Sequence, residues 1–313
     1  MSPEFKDKII ADLEKTGFPS EFNVRRTIYS RNGRWDSTGT MGYFDLDERK
    51  LRQIDVYAFM PCGDRVSKTK HTHTVWALVI EVKKSERGKP WVVFKERRDV
   101  IREVMLWRND LVAYGNLPAE WDKNFSWRIY EHSFCKGSHW IGTGIHESFK
   151  QPSESSRPYG AMISVAKAAE HHFNESKSAL ADLPPCVDNI AENPTRLFFT
   201  RPVVVLDGEL FSAELDPSGK LAVEEIDMAP MHVGYRSAGY DREKYRVDVV
   251  RLSALDAYLA SVEAQHDAIR KAILELGGFG GLSDMDIYNG AKPIKPAAEQ
   301  DGGGQPATRP ESK

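Results

Sequence analysis

The feature that most constrains the fold is a nearly continuous apolar run that ends in charged residues. Residues 75–80 read VWALVI and are followed directly by Glu81, Val82 and Lys83. A run without alternating polar positions is typical of a strand that is buried on both faces, at the centre of a sheet covered by helices. We therefore predict an α/β fold with a central mixed sheet flanked by helices, in which residues 75–83 form an inner strand.

A second strand is predicted over residues 53–60, where apolar and polar positions alternate. Ile54, Val56 and Ala58 fall on one side of this strand, and Asp55 falls on the other with Tyr57 and Phe59. A helix is predicted to begin at Pro19-Ser20 and to carry Val24 and Ile28 on one face, although the stretch from Asn23 to Tyr29 could also form a strand.

The remaining segments have weaker patterns. We expect extended segments at 35–45 and 91–94, a helix over 100–111, mostly loop over 115–158, a helix over 159–173, a hairpin of strands 201–206 and 209–215 around Asp207-Gly208, a strand over 245–252 and a long helix from Ser253 to Gly277. These elements predict one domain over residues 1–277. Residues 278–313 are predicted to be a flexible tail, disordered from about residue 290, where Lys, Pro, Ala, Gln and Gly dominate.

Charge is unevenly distributed along the 313 residues, although the formal net charge is only −3. Residues 61–110 hold 12 Lys and Arg against 7 Asp and Glu, whereas residues 111–313 hold 21 against 29. The positive excess therefore surrounds the charged end of the apolar strand. No apolar run approaches the ~20 residues that cross a bilayer, the first residues are polar, and three cysteines are widely spaced, so we expect a cytoplasmic protein without a membrane partner.

The end of the apolar strand suggests chemistry. Residues two apart on a strand face the same way, so Glu81 and Lys83 share a face and Lys84 points to the other. A neighbouring strand that carries Asp55 can place a second carboxylate beside Glu81. Two such carboxylates repel each other unless a cation lies between them, and Mg²⁺ prefers one or two carboxylates together with water and phosphate oxygens.

In order and setting, these residues resemble the PD-(D/E)xK nuclease superfamily, in its Mrr-type and Holliday-junction-resolvase-like branch. The resemblance rests on Asp55 in Arg-Gln-Ile-Asp, on residues 78–94 (LVIEVKKSERGKPWVVF), and on Gly17-Phe18-Pro19 with Glu21. It covers residues 20–94 closely, as a signature core. No proline precedes Asp55, which departs from the name-giving motif.

The resemblance implies a restriction-endonuclease-like core of order α-β-β-β-α-β with C-terminal elaborations. It also implies that Asp55 and Glu81 bind the metal and that Lys83 assists the attacking water. An acid on the first helix often completes such sites, a position that Glu21 matches. An acid in a first helical turn is equally favoured by the helix dipole.

We therefore expect a nuclease that uses Mg²⁺ or Mn²⁺ to hydrolyse phosphodiester bonds, with DNA as the substrate and a role in restriction or phage defence by analogy. Metal would be held by Asp55, Glu81 and the backbone carbonyl of Val82. The candidate phosphate contacts are Lys84, Arg87, Lys89 and Lys95.

Several alternatives stay open at this point. Asp55, Glu81 and Lys83 could form a structural ion-pair cluster, and the basic residues could form a solvated face. The protein could bind nucleic acid without cutting it, or could act as an effector whose acidic C-terminal half contacts a protein partner. A homodimer is also open.

Overall fold

The computed structural model describes residues 3–31, 33–65, 71–86, 88–97, 111–114, 127–151, 156–181, 195–275, 287–289 and 292–294. The helices are α1 (Pro3–Leu13), α2 (Phe18–Tyr29), α3 (Arg157–Ala181) and α4 (Leu255–Glu275), with a 3-10 turn at Leu252–Ala254 and a helical turn at 127–131. The strands are β1 (Asp36–Asp45), β2 (Lys50–Arg65), β3 (His71–Lys84), β4 (Trp91–Arg97), β5 (Leu111–Tyr114), β6 (Trp140–Glu147), β7 (Thr195–Asp207), β8 (Leu210–Leu215), β9 (Leu221–Glu225), β10 (Met228–Gly234), β11 (Lys244–Arg251), β12 (Ile287–Asn289) and β13 (Lys292–Ile294).

The described strands join into one mixed sheet in the order β1-β2-β3-β7-β11-β10-β6-β4-β8-β9. β5 pairs with β7 and with β12, and β12 pairs with β13. β3 runs parallel to β7 and antiparallel to β2, so it lies inside the sheet with a neighbour on each side. The α/β class and the mixed sheet flanked by helices agree with the sequence prediction.

Two hydrophobic cores lie on opposite faces of this sheet. Trp76, Leu78 and Ile80 of β3 pack in the first core with buried residues of α2 and α4, while Val79 packs in the second core with buried residues of α3. All four side chains are fully buried. The apolar run is therefore covered on both faces, as predicted, and each such side chain contributes about 1.5–3 kcal/mol by leaving water.

The hairpin predicted around Asp207-Gly208 is wrong. β7 and β8 do follow one another across this turn, but they do not pair, because β8 runs parallel to β4 and antiparallel to β9. β3 pairs in parallel with β7, and the strands that follow them in the chain, β4 and β8, also pair in parallel with each other. Gly208 lies so close to Ser85 that an added Cβ would fall 2.0 Å from the Ser85 hydroxyl, so the two connections cross in direct contact.

Two other predicted segments are also corrected. The region 115–158, predicted to be mostly loop, contains β6 and the helical turn at 127–131. The helix predicted over 100–111 falls largely outside the described residues, and Leu111 begins β5. β6 was missed because its two glycines interrupt the alternating pattern of a strand.

The C-terminal region also differs from the prediction in part. Three residues of the segment predicted to be disordered, Lys292–Ile294, form β13 and pair with β12 in the predicted flexible tail. β12 in turn extends the sheet through β5. Residues 295–313 lie outside the described residues. Within the described ranges, no helix is both long and apolar enough to cross a bilayer.

Candidate functional site

The candidate site lies where β2, β3 and α2 meet. The last β2–β3 pair is Val56 with Ile80, and one further step along each strand brings Asp55 level with Glu81. Oδ2 of Asp55 accepts a hydrogen bond of 2.7 Å from the backbone N–H of Val82. The sheet thus holds the Asp55 carboxylate against the charged end of β3.

An irregularity in β2 coincides with Asp55. Between the pairs Gly39–Tyr57 and Met41–Ile54, β2 advances three residues while β1 advances two. Ile54 consequently packs in the second core, while Val56 packs in the first, so the prediction that these two side chains share one side is wrong. Such bulges redirect side chains and are frequent beside functional sites.

Glu81 is a buried acid with one unused oxygen. Its side chain is 10% exposed, and its Oε1 accepts a 2.5 Å charge-assisted hydrogen bond from Nζ of Lys83. Its Oε2 is buried and has no hydrogen-bond partner in the described residues. Burial raises the pKa of the Glu81 carboxyl, Lys83 acts in the opposite direction, and the Asp55 charge raises the pKa further. A cation bound at this point would offset both the cost of burying the Glu81 carboxylate and its repulsion by Asp55.

Lys83 and Lys84 point to different surroundings. Lys83 pairs with Glu81, whereas Nζ of Lys84 donates to the backbone carbonyl of Glu14 at the end of α1. The alternation predicted from the strand therefore holds at these two residues.

Glu21 lies in the first turn of α2, close to the other charges. Burial raises the pKa of the Glu21 carboxyl, and the Asp55 charge adds to this effect, while Arg25 and Lys83 oppose it. Arg25 also donates to the backbone carbonyl of Asp55 at 3.0 Å, which links α2 to the irregular part of β2. Glu21 is thus coupled to Asp55 electrostatically.

Glu21, Asp55, Lys83 and Lys84 line one open cleft of about 540 Å³, which we call the site cleft. Its lining residues are Lys15, Thr16, Gly17, Glu21, Asp55, Val82, Lys83, Lys84, Ser85, Glu86 and Arg157. Four of these side chains are cationic and three are acidic, and Glu81, which is bonded to Lys83 without lining the cleft, brings the acids to four. That combination suits a polyanion together with a metal ion.

The described residues offer only a few ligands for a metal ion. Among the described residues, no group of three or more His, Cys, Asp or Glu side chains could hold a metal ion. The available donors are two carboxylates, from Asp55 and Glu81, and the Val82 carbonyl. That number is sufficient for Mg²⁺, which usually keeps several waters. The unused, buried Oε2 of Glu81 is the observation that favours such an ion.

The basic residues predicted to contact phosphate are only partly in the cleft. Lys84 lines it, Lys89 pairs with Glu86 at 2.7 Å, and Arg87 lies outside the described residues. Lys95 does not line the cleft: its side chain is 8% exposed and lies 3.1 Å from Glu224. Lys95 is therefore paired with acids away from the site cleft, and its role as a phosphate contact stays a prediction.

Sequence reasoning missed Arg157, which reaches the cleft from the first turn of α3. Arg157 makes an ion pair with Glu86, and its Nε lies 4.0 Å from Oε2 of the fully buried Glu147. Lys15, just after α1, was missed as well. No local pattern marks either residue, because both come to the cleft through tertiary packing.

Comparison of the chain with family models, with curated proteins and with solved structures gives no match.

Proposed function

We propose that this protein is a divalent-metal-dependent nuclease that hydrolyses phosphodiester bonds in DNA at the site cleft. The carrying observation is that Asp55 and Lys83 line one cleft, that Glu81 is bonded to Lys83, and that an oxygen of the buried Glu81 has no hydrogen-bond partner in the described residues. The restriction-endonuclease-like core is part of the same proposal. The resemblance of residues 20–94 to the PD-(D/E)xK superfamily supports it. The chain order of the elements that build the site, α2, β1, β2 and β3, supports it as well.

In the proposed reaction, water adds to phosphorus, the bond from phosphorus to the leaving oxygen breaks, and the proton lost by water ends on the leaving oxygen. Mg²⁺ or Mn²⁺, when bound, would polarise the phosphate and lower the pKa of a bound water. Asp55 and Glu81 supply the negative charge that holds the ion, with the Val82 carbonyl as a neutral donor.

Lys83 has the role of a donor beside the reacting phosphate. Its side chain is 34% exposed, so its ammonium can reach both Glu81 and a group in the cleft. From that position it orients the attacking water and stabilises the negative charge that develops on the phosphate oxygens. Arg157, Lys15 and Lys84 bind neighbouring phosphates, since all three line the same cleft.

The deciding experiment compares binding with cleavage for the same preparations. We expect Lys83→Ala to lower the cleavage rate at saturating DNA about a hundredfold or more, because it removes a donor that acts in the transition state. Binding to the same DNA in EDTA should fall only slightly. Asp55→Ala should abolish cleavage and leave metal-free binding intact.

Linear, supercoiled, branched and single-stranded substrates, each with Mg²⁺ or Mn²⁺, cover the substrate forms. Wild-type protein that binds DNA but cuts none of these would favour a silent binding module. Variants that cut as fast as wild type would show that the assigned site is wrong.

A further inference from the structure

A second cleft lies on the other side of α2 from the proposed catalytic residues. It measures about 520 Å³ and we call it the arginine cleft. Its lining residues are Asn23, Arg26, Thr27, Leu206, Asp207, Gly208, Arg251, Leu252 and Ser253. The two clefts share no lining residue, so they are distinct cavities.

Both clefts open at the same edge of the sheet. β3, β7 and β11 run parallel to one another, and they end at Lys84, Asp207 and Arg251 respectively. The site cleft lies at the end of β3, and the arginine cleft lies at the ends of β7 and β11. Ligands of open α/β sheets bind at the carboxyl ends of parallel strands. One extended ligand could therefore contact both clefts along this edge.

A narrow wall separates the clefts. The Ser20 hydroxyl donates to Oδ2 of Asp207 at 2.5 Å, and the backbone N–H of Ser85 donates to the Asp207 carbonyl at 3.1 Å. These contacts fix α2 to the ends of β3 and β7. The Ser20 bond engages one oxygen of the Asp207 carboxylate, the one acid among the described lining residues of the arginine cleft.

The charge of the arginine cleft favours an anion. Arg26 is exposed, and within the described part of the chain its side chain makes no hydrogen bond or ion pair. Arg251 is 21% exposed and pairs with Glu225 at 2.5 Å and with Asp227 at 3.5 Å. Arg26 is thus the cation of this cleft that pairs with no carboxylate in the described part of the chain. The start of α4 adds positive partial charge on the same side, as a secondary contribution.

We propose that the arginine cleft binds a backbone phosphate of the same nucleic-acid strand whose scissile phosphate lies in the site cleft, with Arg26 as the principal contact. This inference rests on the proposed nuclease function and adds a substrate-positioning site to it. Arg26 contacts no reacting atom in this arrangement. Its contribution is therefore to affinity and register, not to the chemical step.

The test uses Arg26→Ala in the full-length chain, with Arg236→Ala as the matched control. Arg236 is 81% exposed, pairs with Glu243, and lies at the opposite end of β11 from Arg251, so its removal changes the net charge equally but away from both clefts. Binding of a duplex oligonucleotide is measured in EDTA across a salt series, and cleavage is measured with Mg²⁺ at saturating DNA.

We expect Arg26→Ala to weaken binding several-fold at fixed salt and to reduce the slope of log affinity against log salt by about one unit. The rate at saturating DNA should stay near that of wild type, and Arg236→Ala should match wild type in every measurement. Charge reversal in Arg26→Glu should weaken binding further. A thermal melt of each variant verifies that the fold persists.

The outcomes separate the two proposals. If wild type binds and cuts DNA but Arg26→Ala behaves like Arg236→Ala, the arginine cleft is not a phosphate site and the nuclease proposal stands. If wild type neither binds nor cuts any nucleic acid, both proposals fail. A large fall in the saturated rate for Arg26→Ala would also overturn the positioning role.

Discussion

Two acid–base pairs on inner strands of the same sheet can be compared directly. Glu81 and Lys83 on β3, and Arg246 and Asp248 on β11, are each two residues apart and bonded at 2.5 and 3.0 Å. The second pair is fully buried at both ends, whereas Lys83 is 34% exposed. The sequence pattern is alike, but the surroundings differ.

The second oxygen of each acid shows the difference most clearly. Oδ2 of Asp248 accepts a 2.9 Å hydrogen bond from the Tyr258 hydroxyl, and the guanidinium of Arg201 lies 3.9 Å away. Oε2 of Glu81 has no hydrogen-bond partner in the described residues and lies beside a cleft. A buried acid whose oxygens all have hydrogen-bond partners stabilises the fold, whereas a buried acid with an unpaired oxygen beside a cleft is a candidate for binding a ligand.

The largest stability effect is expected at the satisfied pair. Asp248→Asn removes the charge that balances Arg246 inside the core, and breaking a buried pair in this way costs about 3–5 kcal/mol of unfolding free energy. Urea denaturation measures the change. Glu243→Gln, at an exposed ion pair with Arg236, serves as the control and should cost at most about 1 kcal/mol. Equal losses for the two variants would contradict the comparison.

At the Glu81–Lys83 pair we expect a smaller change in the unfolding free energy, and one of opposite sign. Burial raises the pKa of Glu81, so its carboxylate opposes folding near pH 7, and Glu81→Gln should leave the unfolding free energy unchanged or raise it by up to about 1 kcal/mol in EDTA. The folded wild type binds more protons than its unfolded state. Its stability therefore gains as pH falls toward the raised pKa, and the advantage of the variant shrinks.

Added Mg²⁺ should raise the melting temperature of wild type and not that of Glu81→Gln. Thermal melts at two pH values, with Mg²⁺ and with EDTA, check both statements. A variant that is markedly less stable than wild type without metal would place Glu81 in the structural class with Asp248.

The smallest effect is expected at Lys84, next to the pair on β3. Its Nζ donates to the Glu14 carbonyl and not to Glu81, so Lys84→Ala should change stability by less than about 0.5 kcal/mol. Its saturated cleavage rate should stay near that of wild type, while affinity falls as for one lost phosphate contact. Single-turnover cleavage is the measurement. A loss of rate as great as in Lys83→Ala would show that both lysines act in the chemistry.

Local patterns predicted the parts of the fold that local forces decide. The uninterrupted apolar run of β3 and the Pro19-Ser20 helix start gave the strand and helix beside the site, and strand alternation separated Lys83 from Lys84. The partners of a strand are not encoded locally. Asp207-Gly208 was therefore interpreted as a hairpin turn, although its glycine is required by the close approach of Ser85.

The same limit applies to the site. Asp55, Glu81 and Lys83 could be grouped because they lie on neighbouring strands of one hairpin. Arg157 and the arginine cleft could not, since they depend on how α3, β7 and β11 pack beside β3. The bulge at Asp55 also has no signature in the sequence of β2 itself.

The pairing of β3 with β7 has a consequence for how the protein matures. Glu81 lies opposite Val204, so the strand that carries the proposed chemistry acquires its second neighbour from a segment synthesised more than a hundred residues later. Contacts this distant in sequence form slowly, because a long loop must close first. Residues 20–94 contain the signature residues but not β7. As an isolated fragment they would therefore expose one edge of β3 and much of its apolar surface. Until β7 has emerged, we expect the nascent β3 to keep one edge unpaired, which makes it a segment prone to aggregation.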